Sequence, residues 1–196
     1  MTEAGPLITS TRMPPNINPA GSLGRPCGPE VMVVDTEWNP LKIGNEGEIV
    51  VRGDNVFLGY ENEPETNENI FYKGWFRTGD IGLFDSENNL FLTGRLKEQI
   101  NRGGEKINPR EVDDALMAHP SVELAACYPI PHLTLGEDIA AAVILKPGQI
   151  ENEIVIREFL KYSLAKFKIP RTITFLDKLP KNSVGKIDFE SDFFGS

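Results

Sequence analysis

The sequence predicts an α+β protein: a small all-β unit followed by a compact α+β domain whose small sheet is flanked by helices. Two observations carry this. The first part holds β-branched runs bounded by Gly and Pro. Near residues 95–97 the pattern changes, and beyond it helical periods alternate with apolar runs of strand length. The domains drawn this way are residues 1–94 and 95–196, with rigid bodies at about residues 20–94 and 98–190 joined near Lys97.

Each element follows from local chemistry. Residues 1–27 are rich in Pro, Gly, Thr and Ser, carry no lasting period and read as loop. Residues 31–34 and 48–52 are β-branched and read as strands. Phe57-Leu58-Gly59-Tyr60 leads into a polar stretch. There Pro64-Glu65-Thr66-Asn67-Glu68 starts a short helix, with proline early and acids near the positive end of the dipole. Leu83-Phe84-Asp85, Ser86-Glu87-Asn88-Asn89 and Leu90-Phe91-Leu92 form a hairpin pattern, because the Asn pair tolerates positive φ.

Past the boundary, residues 109–119 place Val112, Ala115 and Leu116 at helical spacing, with Asn108 as N-cap and Pro109 in first position. Residues 124–130 and 139–145 are apolar runs of strand length, and residues 172–176 give a third. Residues 153–165 repeat apolar side chains at Ile154, Ile156, Phe159, Leu160 and Leu164, the pattern of an amphipathic helix. The sequence shows no internal repeat and no low-complexity segment.

Composition bounds the function. A domain near this size buries roughly 70% of its unfolded surface, enough for a core. The net charge of −9 argues against non-specific nucleic-acid binding, which depends on cations neutralising phosphates. A small anionic ligand remains compatible, since a few local cations and backbone N–H groups hold it. Cys27 and Cys127 are too few for a disulfide framework or a zinc site, and read as reduced thiols of a cytoplasmic protein. No apolar run reaches the roughly 18 residues that span a membrane, and no leader is visible.

Three segments carry chemistry: Gly74-Trp75-Phe76-Arg77-Thr78-Gly79-Asp80, the run Gly94-Arg95-Leu96-Lys97-Glu98-Gln99-Ile100-Asn101-Arg102-Gly103-Gly104-Glu105-Lys106-Ile107, and Leu179-Pro180-Lys181-Asn182-Ser183-Val184-Gly185-Lys186-Ile187. In this order and spacing they resemble the adenylate-forming superfamily: acyl-CoA synthetases, aryl-acid ligases, luciferases and peptide-synthetase adenylation domains. Met1-Thr2-Glu3-Ala4-Gly5-Pro6 resembles the middle of another motif of that family. The resemblance covers nearly all of residues 1–190 and implies the end of a large N-terminal domain with a β-barrel-like subdomain. A hinge then leads to a mobile C-terminal α+β lid.

That resemblance implies an ATP-dependent acid–thiol ligase that adenylates a carboxylic acid and transfers the acyl group to CoA. ATP, Mg²⁺ and CoA, or the phosphopantetheine of a carrier protein, are then expected. A small-molecule acid and the N-terminal portion of the same enzyme are the expected partners, with a carrier protein as an alternative acceptor. A non-catalytic lid or interaction fragment is a further alternative, and the 196-residue chain alone is expected to be inactive.

Residue roles are carried over one at a time. Asp80 is expected to bind the ribose, as a carboxylate accepts two hydrogen bonds from vicinal hydroxyls; taken alone, Thr-Gly-Asp is a turn. Arg95 is implied as a second nucleotide contact, where a planar guanidinium suits ribose and phosphate oxygens, against a plain solvated arginine. Lys97 takes the hinge position, and Gly103, Gly104 and Lys106 the loop that approaches the thiol; a plain hairpin turn is compatible with this. Thr2 faces the phosphates and Glu3 the Mg²⁺, a hard cation that prefers carboxylate oxygen.

Lys186 is the expected catalytic residue, a flexible point charge able to reach the α-phosphate and the attacking carboxylate. It is no P-loop lysine, because Pro180 stands where that motif needs Gly. His119 and His132 read as structural or surface residues, and Glu111, Asp113 and Asp114 as acids serving a helix dipole. The family continues with basic residues after this lysine. Here Asp188-Phe189-Glu190-Ser191-Asp192-Phe193-Phe194 is acidic and aromatic, a truncated end or a linker toward a carrier domain.

Overall fold

The computed structural model describes residues 1–180 together with Ile187 and Phe189, so Lys186 lies outside the described residues. The chain divides into two units, Met1–Lys97 and Glu98–Ser196.

The first unit is built on a seven-stranded sheet. Its strands are β1 (Thr9–Ser10), β2 (Ser22–Pro26), β3 (Glu30–Val34), β4 (Gly47–Arg52), β5 (Phe71–Tyr72), β6 (Trp75–Phe84) and β7 (Leu90–Arg95). They run in the order β1-β2-β7-β6-β4-β3, with β5 on β6. Every neighbour is antiparallel. The β-branched runs of β3 and β4 lie side by side, so Val33 pairs with Ile49, and both join Leu90 in one apolar cluster. Val51 and Phe76 form a second cluster with Ala4. The short helix α1 (Pro64–Ile70) starts at its proline, as expected.

The loop expected over residues 1–27 is corrected: Thr2–Ala4 forms a 3-10 turn, and β1 and β2 are strands. Neither strand has a β-branched run or an apolar alternation. Backbone pairing of Thr9 with Pro26 and of Ser22 with Phe91 holds them, and such pairing leaves no pattern in the side chains.

Two turns share one chemistry. Asp35-Thr36-Glu37-Trp38-Asn39 and Asp85-Ser86-Glu87-Asn88-Asn89 both read Asp-x-Glu-x-Asn. In each, Oδ1 of the Asp accepts from the backbone N–H groups of the Glu and the Asn. The Asn amide donates to Oδ2. Trp38 and Asn88 take positive φ, 66° and 63°. The Asn donors hold both carboxyls below the usual range.

The second unit has a five-stranded sheet. It comprises β8 (Ile100–Arg102), β9 (Glu105–Ile107), β10 (Val122–His132), β11 (Gly136–Leu145) and β12 (Thr172–Phe175). The order is β10-β11-β8-β9, with β12 parallel on β11. Side chains of β10 and β11 alternate between the faces, as the two-residue strand period demands. Ala125, Cys127, Ile139, Ala141 and Val143 face a core closed by α2 (Pro109–Met117) and α3 (Glu153–Leu160). Ala126, Tyr128, Ala140 and Ala142 face the other way, against Leu179.

Helix α2 begins as expected: Asn108 is the N-cap, its Oδ1 accepting from the Arg110 N–H, and Pro109 opens the helix. The helix expected over residues 153–165 is corrected to Glu153–Leu160. There Leu160 O accepts from both Ser163 N and Leu164 N, which tightens and ends the helix. Leu164 still reaches the core, whereas Ile154 is 67% exposed. The β8–β9 pair adds two strands too short to show a period.

Asp113 is a second correction. It does not simply serve the dipole. Its Oδ1 accepts from the backbone N–H of Cys127 at 2.6 Å, and burial pushes its carboxyl up to about 6. Burial beside Asp113 likewise keeps the Cys127 thiol protonated.

A carboxyl near 6 when folded, against an ordinary 3.8, binds its proton more tightly in the folded state. Its contribution to stability is full below pH 3.8 and is lost as pH rises through 6. Asp113→Asn is therefore expected to stabilise the protein at about pH 8, by about 1 kcal/mol once solvent screening is allowed for. That advantage should vanish near pH 4. Urea midpoints at the two pH values check the sign.

Candidate functional site

The candidate site of the first unit grows from an irregularity in β6. Glu48 pairs with Ile81 and Val50 with Arg77, so two residues of β4 separate partners four apart on β6. The excess falls at Thr78-Gly79-Asp80, a bulge in a strand that is paired on both sides. Gly79 takes φ 71°, a conformation that a side chain resists. Thr78 Oγ1 donates to Ile49 O at 2.7 Å and accepts from Asp80 N at 3.0 Å, which fixes the bulge on both sides.

The bulge sets Asp80 opposite Arg95 on β7. Arg95 Nε lies 3.0 Å from Asp80 Oδ1, and the side chains are 58% and 24% exposed. The pair therefore faces solvent on one side. Asp80 also lines a hollow of about 270 Å³, with Met1, Ile8, Leu23, Thr78 and Leu92 among its walls.

Met1-Thr2-Glu3 lies against the same unit. Ala4 is fully buried in the Val51–Phe76 cluster. Glu3 O accepts from Phe57 N at 2.7 Å, and Ala4 O from the Asn55 amide at 2.7 Å. The Tyr60 hydroxyl donates to Glu3 Oε1 at 3.1 Å, and this acceptor raises the Tyr60 pKa. Thr2 is exposed.

Lys97 is exposed, within the 3-10 turn Leu96–Glu98. In the second unit, Gly103 and Gly104 form the tip of the β8–β9 hairpin with φ 61° and 96°. Gly103 N donates to Leu135 O at 2.9 Å, and Gly104 N to Asn101 Oδ1 at 3.0 Å. A Cβ on Gly103 would stand 2.9 Å from Leu135 Cδ2. Lys106 is exposed on β9. Lys186 lies outside the described residues.

The model of the AMP-binding enzyme matches residues 1–61, and that of the AMP-binding enzyme C-terminal domain matches residues 111–186. The chain belongs to the AMP-binding enzyme family. It is similar to the oxalate–CoA ligase of Saccharomyces cerevisiae, 46% identical over 189 residues, which cover 95% of this chain and 35% of that protein. It is similar to the vibriobactin-specific 2,3-dihydroxybenzoate-AMP ligase of Vibrio cholerae, 42% identical over 173 residues, 86% of this chain and 32% of that one. The ATP-bound crystal structure of MatB from Rhodopseudomonas palustris superposes with a TM-score of 0.77 at 34% identity, covering 85% of this chain and 34% of that one. The chain thus spans about a third of the length of the curated relatives it matches.

In this AMP-binding family member, the residues singled out by motif form two groups. Asp80 and Arg95 are in contact, Glu3 is held by Tyr60, and Met1 shares the hollow with Asp80. Gly103, Gly104 and Lys106 share one hairpin. Tyr60 and Arg102 lie in quoted segments without a role assigned to them, and Asp138 lies in none; all three hold these residues in place. Among the described residues, no cluster of three His, Cys, Asp or Glu could hold a metal by itself. No described helix is long and apolar enough to cross a membrane.

Gly79→Ala forces a side chain into the left-handed region and is expected to destabilise the first unit by about 1–2 kcal/mol. A urea midpoint unchanged from the parent would mean that the bulge relaxes freely.

Proposed function

We propose that this chain is part of an ATP-dependent acid–thiol ligase that adenylates a carboxylic acid and passes the acyl group to CoA. The observation that carries this reading is the Asp80–Arg95 pair, raised by a fixed bulge and partly open to solvent. Such a pair suits a ribose: Asp80 accepts from the two hydroxyls, and Arg95 neutralises and orients it. Family membership supports the same reading. So do the likeness to an oxalate–CoA ligase and the ATP in the MatB structure.

In the first step a carboxylate oxygen of the acid attacks the α-phosphorus of ATP, and the bond to pyrophosphate breaks. In the second, a thiol sulfur attacks the acyl carbon, the bond to AMP breaks, and the thiol proton leaves to solvent. Lys186 supplies positive charge to the crowded phosphate in the first step, and Thr2 a hydroxyl toward the phosphates. The single carboxylate of Glu3 fits Mg²⁺, which takes one or two carboxylates and completes its shell with water and phosphate oxygens. The ion would neutralise charge there. Lys97, beside the boundary between the units, is the hinge that lets the second unit serve both steps, and the Gly103-Gly104 hairpin carrying Lys106 approaches the thiol.

We take the acid to be small or aromatic, with two free cysteines consistent with cytoplasmic action. The 2,3-dihydroxybenzoate-AMP ligase relative favours a second reading, in which the acceptor thiol belongs to a carrier protein.

Two substitutions in the complete enzyme test this. Asp80→Ala removes hydrogen bonds to a charged acceptor, worth about 1.5–3 kcal/mol, and is expected to weaken AMP binding by about 10- to 100-fold. Titration calorimetry reads it, and unchanged affinity would remove the ribose from Asp80. Lys186→Ala is expected to slow adenylation by about 10²–10³-fold while thioester formation from supplied acyl adenylate is largely kept. Equal losses in the two half-reactions would make Lys186 a structural residue.

A further inference from the structure

The β8–β9 hairpin is attached to its sheet by very little backbone. The register of β8 with β11 holds one residue pair, Arg102 with Gly136. Hairpins this short are not stable by themselves, so side chains must set where the Gly103-Gly104 tip points.

Ile100 and Ile107 bury the root of the hairpin in the core, and the polar side chains nearer its tip converge on one buried acid. Asp138 is 1% exposed and sits on β11. Arg102, the residue before Gly103, reaches it with Nε 2.8 Å from Oδ1 and donates from Nη2 to Oδ2 at 3.4 Å. Nη1 of the same arginine donates to Phe167 O at 2.6 Å. Arg171, just before β12, approaches Oδ2 at 3.9 Å, and Ile139 N donates to Oδ1 at 2.8 Å. Next door, Asn101 N donates to Glu137 Oε2 at 2.7 Å, and Gly103 N to Leu135 O at 2.9 Å.

A carboxylate at this depth is costly unless paired, and breaking a buried pair is far worse than never having had it. The pair is therefore weak support for overall stability. Its effect is directional: Arg102 meets Asp138 and Phe167 O at once, which ties the residue before Gly103 to β11 and to the segment ahead of β12.

We infer that Asp138, acting through Arg102, is a positioning residue that sets the Gly103-Gly104 tip for acyl transfer to the thiol. This rests on the thiol-facing role of that hairpin. Asp138 touches no substrate. It holds the hairpin beside its tip, so that the tip approaches with its backbone already placed, and a misplacement on the order of 1 Å can cost about 100-fold in rate.

Two measurements test it. Hydrogen exchange of the 196-residue chain and its Asp138→Asn variant comes first. Amides of residues 101–106 are expected to exchange about tenfold faster in the variant or more, with those of β10 and β11 little changed. Uniform acceleration across the sheet, or none in the hairpin, overturns the inference. Arg102→Lys, which keeps a positive charge for Asp138 but lacks the fork that meets Asp138 and Phe167 O together, is the second variant, should Asp138→Asn fail to fold, and the same pattern is expected of it.

In the complete enzyme, Arg102→Lys is expected to slow thiol-dependent AMP release from supplied acyl adenylate by about tenfold or more, with acid-dependent ATP–pyrophosphate exchange within about twofold. Equal losses in both half-reactions overturn the inference. A parent enzyme that exchanges pyrophosphate but never passes the acyl group to any thiol would overturn the functional reading instead, and the exchange pattern would still decide the positioning of the hairpin.

Discussion

A strand paired on both edges has nowhere to hide surplus residues, and β6 carries a surplus at Thr78-Gly79-Asp80. The two ladders must continue on either side, so the extra length is expelled as a bulge. Glycine takes the left-handed turn without strain, and a short hydroxyl side chain ties the bulge to β4 and to its own strand. Thr78 does so with Ile49 O on one side and Asp80 N on the other. The Asp80 carboxylate is thereby held across from Arg95 by the sheet itself, not by a loop. A ligand that uses the pair meets groups already in place, which lowers the ordering cost of binding.

The second unit solves a different problem. Its long β10–β11 hairpin is buried on both faces, and alanines fill much of the space: Ala125 and Ala141 on one side, Ala126, Ala140 and Ala142 on the other. Small side chains let the helices and the segment with Leu179 come close to the strands. Phe189 stacks on Tyr128 with ring centroids 4.0 Å apart, on the face away from the helices. Leu179, which opens the lysine-bearing motif, and Phe189, which follows it, thus belong to one apolar cluster.

Much of this was legible. Asn108 and Pro109 announce α2 because a cap and a missing N–H are local facts, settled within four residues. The hairpin around Asn88 announces itself by its tolerance of positive φ. Other features leave no local trace. Ser22 to Pro26 is a strand because β7 lies beside it, and no property of Ser-Leu-Gly-Arg-Pro says so. Asp80 and Arg95 were marked by motif, but the bulge that joins them depends on how β4 and β6 count residues. Asp138 and Arg102 stand 36 positions apart, and although Arg102 lies within a motif run, nothing in either segment pairs the two. The helix of residues 153–165 was overdrawn because Leu164 keeps the helical period after the backbone has left the helix.

The twin Asp-x-Glu-x-Asn turns of the first unit carry a consequence of their own. Each closes around a carboxylate whose affinity for protons is depressed by the amides it holds. The stability it lends is present above the ordinary carboxylate range and drains away as acid titrates it. In the second unit, Asp113 runs the other way, since it is more comfortable with a proton than without one. Acidification therefore unfastens the turns of one half of the chain while relieving a buried charge in the other. Asp35 and Asp85 thus answer acid in the opposite sense from Asp113.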